Sequence, residues 1–246
     1  MGARPLSHVR LNRSFLVDLE RPTLAWLVRR LPACATPNHL TALGLAGAIA
    51  TAAGFAACHV SNGFLALAVL GLALNWYGDS LDGTLARHRK IERPHYGYFV
   101  DHASDLIAQT LIIVGLGFSP YFTLFSALLV LSMYLLISSY TYLKVMVAKT
   151  HQLSYGGMGA TEFRLLVAAW ALAAAWIGPA MTQTQLYGHA ALDVTIGVLW
   201  ALTFAGFVYV VRADLLDMDE TKNKAEPDTS RPAPQRAPGA TPVPNA

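Results

Sequence analysis

Residues 75–105 read NWYGDSLDGTLARHRKIERPHYGYFVDHASD and set four aspartates at the ends of two strongly apolar segments. Asp79 and Asp82 stand three apart and Asp101 and Asp105 four apart, so on helices each pair lines one face within about one turn. A carboxylate near lipid is costly and persists there when something positive holds it. Neither apolar run contains a basic residue, and Arg87 is one charge against four, so the pattern points to bound metal cations. Ligands made only of oxygen suit magnesium or manganese better than zinc or copper. Gly83 and Ala86 leave the face beside the carboxylates bare, so a flat ring or a diphosphate can approach the backbone, and Arg87 offers a fork that fits phosphate oxygens. The whole describes a metal-diphosphate site.

The surrounding chain is a membrane protein. Of 246 residues, 54% are hydrophobic and 13% charged, and the mean hydropathy of +0.40 is more apolar surface than one soluble core can hide. This composition makes the lipid bilayer, and not nucleic acid, the expected surroundings. Six segments approach the roughly 20 apolar residues that a spanning helix needs: 40–60, 64–79, 98–118, 121–147, 163–179 and 191–211. The second is short because its end carries aspartates, and its helix is expected to run on to Arg87. Asn62-Gly63 and Ser119-Pro120 mark tight turns. No internal repeat is evident and no stretch reads as a strand.

The fold expected is an all-α integral membrane protein with six transmembrane helices, an interfacial amphipathic helix before them and a disordered C-terminal tail. Its parts are an N-terminal segment (1–36), the six-helix domain (37–215) and the tail (216–246). Pro22 sits where the interfacial helix could start, and Leu24, Leu27, Val28 and Leu31 form its apolar stripe, with Arg21, Arg29 and Arg30 elsewhere on the wheel. Residues 1–12 are polar and basic with no apolar run behind them, which argues against a cleaved signal peptide. From about Thr221 the chain is rich in Pro, Ala and Thr with nothing to bury. Cys34 and Cys58 have no metal-ligand spacing and read as small packing residues.

Charge gives the orientation. Six of the 18 Lys and Arg residues precede the first span, four (Arg87, Arg89, Lys90, Arg93) lie between the second and third, three (Lys144, Lys149, Arg164) around the fourth-to-fifth connection, and five follow the sixth. The opposite face has none, so both termini and the aspartates are expected to be cytoplasmic.

Asp79-x-x-Asp82-Gly83-x-x-Ala86-Arg87, followed by Gly97-x-x-x-Asp101-x-x-x-Asp105, resembles the signature of the CDP-alcohol phosphatidyltransferase family, with all eight signature residues in order. Nine residues separate Arg87 from Gly97 where the family usually has eight, and the extra one falls in a loop with Pro94. Thr36-Pro37-Asn38 before the first span also looks like the family's. The resemblance implies that Asp79, Asp82, Asp101 and Asp105 face two divalent cations, Mg2+ or Mn2+. It further implies that Asp79, Asp82, Gly83, Ala86, Arg87 and Gly97 meet the CDP diphosphate, and that Asp105 is general base toward the acceptor hydroxyl. A homodimer in a bacterial-type inner or plasma membrane is implied too, with a CDP-alcohol donor and an alcohol or lipid acceptor.

Other residues are weaker candidates. His88, His95 and His102 suggest zinc, but His102 is set about 100° from Asp101 around a helix and can at best support the aspartates; His88 and His95 read as packing or solvent-facing. Residues 154–164, SYGGMGATEFR, could hold an anion, with Thr161 capping a helix and Glu162 and Arg164 facing the same entrance as candidates for the acceptor or cytidine end. Asp101-His102 looks like the branch that transfers phosphocholine or phosphoethanolamine to diacylglycerol, as opposed to the branch that transfers a phosphatidyl group to a small alcohol. Tyr96, Tyr98 and Tyr155 could cage a quaternary ammonium. The competing reading from a different class is a membrane cation transporter that uses the aspartates as its pathway.

Overall fold

A computed structural model describes residues 10–11, 16–148, 151–152, 160–178, 182, 184–186 and 188–225. Its helices are α1 (Val17–Val28), α2 (Pro37–Ala57), α3 (Leu65–Arg89), α4 (Pro94–Gly117), α5 (Leu124–Ala148), α6 (Ala160–Ile177) and α7 (Ala191–Ala225), with a 3-10 turn at Asn62–Phe64 before α3. Among the described residues, helices α2 to α7 are the six long and apolar enough to cross a membrane. Two pairs of two-residue strands also occur, Arg10–Leu11 parallel to His151–Gln152 and Gln185–Leu186 antiparallel to His189–Ala190. The expectation of no strand is corrected on that point; two residues are too few for an alternating pattern to register in sequence.

Helix starts and stops follow local chemistry in the first half of the chain. Thr36 Oγ1 accepts from the His39 N–H at 3.2 Å, Pro37 occupies the first helical position, and α2 follows. Helix α3 runs through Arg87 and closes on Lys90, which has φ 57°, with the Ile91 N–H returning to the Ala86 carbonyl at 3.0 Å. Pro94 then opens α4, so the connection is only Lys90 to Arg93, and the extra residue of the motif is absorbed there.

Helices α2 and α3 pack backbone to backbone. A Cβ on Gly47 would lie 2.5 Å from the Asn75 nitrogen and 2.7 Å from the Gly71 carbonyl oxygen, closer than any side chain tolerates. Ala48, Phe55, Ala68 and Leu72 of this pair join Ala108 and Ile112 of α4 and Val167 and Ala171 of α6 in the main apolar core.

Helix α1 starts at Val17, five residues before the expected Pro22, which lies inside it. No side chain caps it locally; the Leu16 N–H donates instead to Glu162 Oε1 of α6 at 3.0 Å, a partner that local sequence cannot reveal. Its stripe of Leu24, Leu27, Val28 and Leu31 covers Leu81 and Leu85 of α3. Outside that stripe Trp26 is exposed, with the Arg30 guanidinium 3.7 Å over its ring. The linker to α2 is held by Arg89, which donates to the Pro32, Ala33 and Ala35 carbonyls. Cys58 is buried as expected, but Cys34 is exposed and packs nothing.

The chain through Thr203 forms one compact unit, and the residues from Phe204 a second. In the first, Asp193 near the start of α7 accepts from Ser126 Oγ at 2.6 Å and from Thr123 Oγ1. In the second, helix continues to Ala225, so the tail expected from residue 216 is still helical there. Residues 226–246 of that tail lie outside the described residues.

Candidate active site

Helix α3 presents Asn75, Asp79 and Asp82 along one face, and α4 presents Asp101 and Asp105. Asp82 is buried and accepts from Thr41 Oγ1 of α2 at 2.6 Å. It lies in electrostatic range of Asp79 and Asp101, and Asp105 is in range of the same two. The four aspartates of α3 and α4 are thus within electrostatic range of one another through Asp79 and Asp101. A small cleft beside Asp79 and Asp105 is lined also by Thr41, Gly44, Asn75 and Ser104.

Neither aspartate-bearing apolar run contains a basic residue, yet a cation from another helix, Arg164, pairs with the site. This residue is 4% exposed on α6; its Nη2 donates to Asp79 Oδ2 at 2.9 Å and its Nε to Asn75 Oδ1 at 2.7 Å. Asn75 Nδ2 continues the chain to the Gly44 carbonyl at 2.9 Å. Asp105 Oδ1 is 3.9 Å from Arg164 Nη2, too far for a hydrogen bond, and has no hydrogen-bond partner among the described residues. A cation two spans away in sequence reaches the cluster because α6 packs on α3.

Glu162 and Arg164 do not face one entrance. Glu162 turns to the start of α1, while Thr161, expected as a cap, is already inside α6 and donates to Glu20 Oε1 at 3.0 Å. The same Glu20 oxygen accepts from Trp76 Nε1 at 2.6 Å and Ser80 Oγ at 3.2 Å. The glycines of the 154–164 loop, with Tyr155, lie outside the described residues. Asn75, Thr41 and Glu20 are site residues that sequence reasoning did not assign. Asn75 carried a signal, a polar residue one turn before Asp79 in an apolar run; Thr41 and Glu20 gained their roles only by packing.

His102 is nearer to Asp101 than expected. Its Nδ1 lies 3.3 Å from Asp101 Oδ2, because side-chain rotation overcomes the angle between neighbouring helix positions. Its ring stacks on Tyr142 at 4.8 Å between centroids and meets Tyr98 at 4.1 Å. Tyr96 faces elsewhere: its hydroxyl accepts from Asn38 and its ring carries the Arg93 guanidinium at 4.4 Å. His88 and His95 are exposed. Arg87 is exposed, with Nη2 on Thr84 Oγ1 at 3.2 Å, and a Cβ on Gly83 would stand 3.2 Å from its Nη1. Ala86 is half-buried on the same turn, and Gly97 lies open in the first turn of α4 with nothing within 4 Å of a would-be Cβ.

Among the described residues, no three His, Cys, Asp or Glu side chains are gathered as ligands of one ion. The donor chemistry nevertheless fits a hard divalent cation. Four carboxylates share the cluster against one buried guanidinium, and the Asp105 oxygen is buried without a hydrogen-bond partner.

Two comparisons with known proteins bear on this site. Residues 34–211 match the profile of the CDP-alcohol phosphatidyltransferase family. The chain is also similar to cholinephosphotransferase 1 of Gallus gallus, 29% identical over 188 residues, which is 72% of this chain and 54% of that protein. The chain thus spans about half the length of the curated relative it matches.

Proposed function

The chain belongs to the CDP-alcohol phosphatidyltransferase family, and from that premise we propose that it transfers a substituted phosphate from a CDP-alcohol to an acceptor hydroxyl, releasing CMP, in phospholipid synthesis. The observation that carries this reading is the convergence of Asp79, Asp82, Asp101 and Asp105 from two adjacent helices beside the small-residue turn that bears Arg87. Two divalent cations, Mg2+ or Mn2+, would be held by those four carboxylates and would supply charge neutralisation on the diphosphate. Arg87, exposed beside Gly83 and Ala86, takes the diphosphate oxygens as a fork, and Gly97 leaves room at the facing helix start. Arg164 holds Asp79 in place from behind.

The acceptor oxygen attacks the phosphorus that carries the alcohol, the anhydride bond to CMP breaks, and CMP departs with the electron pair. Asp105 receives the acceptor proton. Its Oδ1, unpartnered and buried, is the side-chain oxygen suited to that proton. Charge neutralisation and alignment do most of what phosphoryl transfer needs.

The amino-alcohol branch, transfer of phosphocholine or phosphoethanolamine to diacylglycerol, is the second reading. It is favoured by the likeness to a cholinephosphotransferase and by His102 on Asp101 between Tyr98 and Tyr142. A transporter would distribute ionisable groups over two corresponding halves, whereas these four aspartates occupy α3 and α4 alone. The distribution of lysine and arginine supports an orientation with both termini and the site cytoplasmic, in a bacterial-type inner or plasma membrane; a homodimer rests on family resemblance.

The test is CMP release by the purified protein in detergent with Mg2+ or Mn2+. CDP-diacylglycerol with small alcohols is compared against CDP-choline and CDP-ethanolamine with diacylglycerol. Release from either mixture, abolished in a folded Asp105→Asn, supports the reading and selects the branch. Silence from both, or near wild-type turnover in Asp105→Asn, sinks the corresponding assignment.

A further inference from the structure

One turn deeper into the membrane than Asp105, α4 carries Gln109, which has no exposed surface and whose Nε2 and Oε1 both lack a hydrogen-bond partner among the described residues. Its neighbours along α4 belong to apolar clusters. Ala108 and Ile112 belong to the core shared with α2 and α6, and Ile113 belongs to a cluster with Ala127 and Leu131 of α5, edged by Tyr134 and Phe163. An amide among hydrocarbon with neither donor nor acceptor used is strongly unfavourable and calls for a partner. A second buried group has the same property: Arg164, 4% exposed, spends Nε and Nη2 on Asn75 and Asp79 but leaves Nη1 without a partner. Asp105, with its own unpartnered Oδ1, shares a helix row with Gln109 and lies 3.9 Å from Arg164.

We infer that Gln109, aided by Arg164 Nη1, forms the membrane-side part of the acceptor site and takes a lipid alcohol, one hydroxyl with a neighbouring carbonyl on an apolar body. The inference rests on the transferase reading and narrows its acceptor. The amide supplies one donor and one acceptor, which suits a hydroxyl and an ester carbonyl. One turn further along α4, Ile113 packs with Ala127 and Leu131 of α5, an apolar cluster edged by Tyr134. A polyol or a charged head group would leave its remaining polar atoms unpaired there, whereas acyl chains would not. Gln109 acts by binding, and Asp105, one turn toward the membrane surface, receives the proton of the hydroxyl so held.

The test uses the full chain in detergent micelles and two readouts. A photoactivatable diacylglycerol is cross-linked in EDTA, with competition by dioleoylglycerol, and KM values are measured for dioleoylglycerol and for CDP-choline. Gln109→Leu, with Gln109→Met as the second variant should Leu impair folding, is expected to lose competable cross-linking and to raise the dioleoylglycerol KM about tenfold. The CDP-choline KM should stay within about twofold. Unchanged cross-linking and KM, with a melting temperature equal to or above wild type, would mean that the amide holds only water and would overturn the inference. Wild type that releases CMP from CDP-diacylglycerol and small alcohols but shows no competable cross-linking overturns the lipid-alcohol assignment and leaves the transferase standing. Competable cross-linking without CMP release from any mixture overturns the transferase and leaves Gln109 as a lipid site.

Discussion

The guanidinium of Arg164 lies 2.9 Å from the carboxylate of Asp79, and its Nε reaches Asn75 one turn earlier on the same helix. Glu20 takes the neighbouring row of α3, Trp76 and Ser80, and also receives Thr161 of α6. Two adjacent rows on α3 thus seat α6 and α1 side by side. One row carries the cation of the site, and the other anchors α1, whose apolar stripe packs on Leu81 and Leu85.

Arg164→Ala is expected to leave Asp79 and Asn75 without their buried partner and to cost about 3 kcal/mol or more of stability. Arg164→Lys restores charge but not the two-armed geometry, so it should recover part of the stability and little of the CMP release. Thermal unfolding in detergent beside turnover separates the two; a fully active Arg164→Lys would show that the fork is unnecessary.

Glu20→Ala removes the acceptor of three hydrogen bonds, whereas Glu20→Gln keeps an oxygen at the same place. The Ala variant is expected to lose about 1–3 kcal/mol and the Gln variant about half as much. Hydrogen exchange should quicken in α1 and at the start of α6 in Glu20→Ala. Unchanged protection there would deny that Glu20 ties the helices together.

Gly47→Leu forces side-chain atoms into the backbone of α3 next to Asn75, and should destabilise by about 1–3 kcal/mol or more while disturbing Arg164. Gly97→Ala meets nothing within 4 Å and should leave the melting temperature alone. If Gly97 accommodates the donor, the same variant raises the KM for the CDP-alcohol. Equal melting losses in the two variants would contradict the packing described for α2 and α3.

Removal of divalent cations with EDTA is expected to abolish CMP release reversibly, with Mn2+ or Mg2+ restoring it. Asp79→Asn and Asp82→Asn should each weaken Mn2+ binding about tenfold or more, read by the Mn2+ resonance signal without substrate. Full turnover in EDTA would remove the metals from the mechanism.

Much of the fold was legible because lipid imposes long apolar runs with turns between them, and these survive in a linear reading. The segment ending at Asp79 was rightly extended to Arg87, and the helix closes two residues later at Arg89. The start of α1 was misplaced because its first N–H is held by Glu162, far along the chain. The aspartates stood out as acidic residues beside apolar runs; Asn75, Thr41, Glu20 and Gln109 did not, because an isolated polar residue takes its meaning from what packs around it.

By itself, the sequence determined that the protein is a bundle of membrane-crossing helices and that its four aspartates lie in two pairs at the ends of two apolar segments, since periodicity and hydropathy are properties of neighbours in the chain. Only the tertiary structure decided which cation meets those aspartates. Arg164 reads in sequence as a loop-side arginine at the start of a span, yet the packing of α6 on α3 buries it against Asp79. Burial in a low-dielectric site turns that long-range contact into a strong one, and no local pattern encodes it.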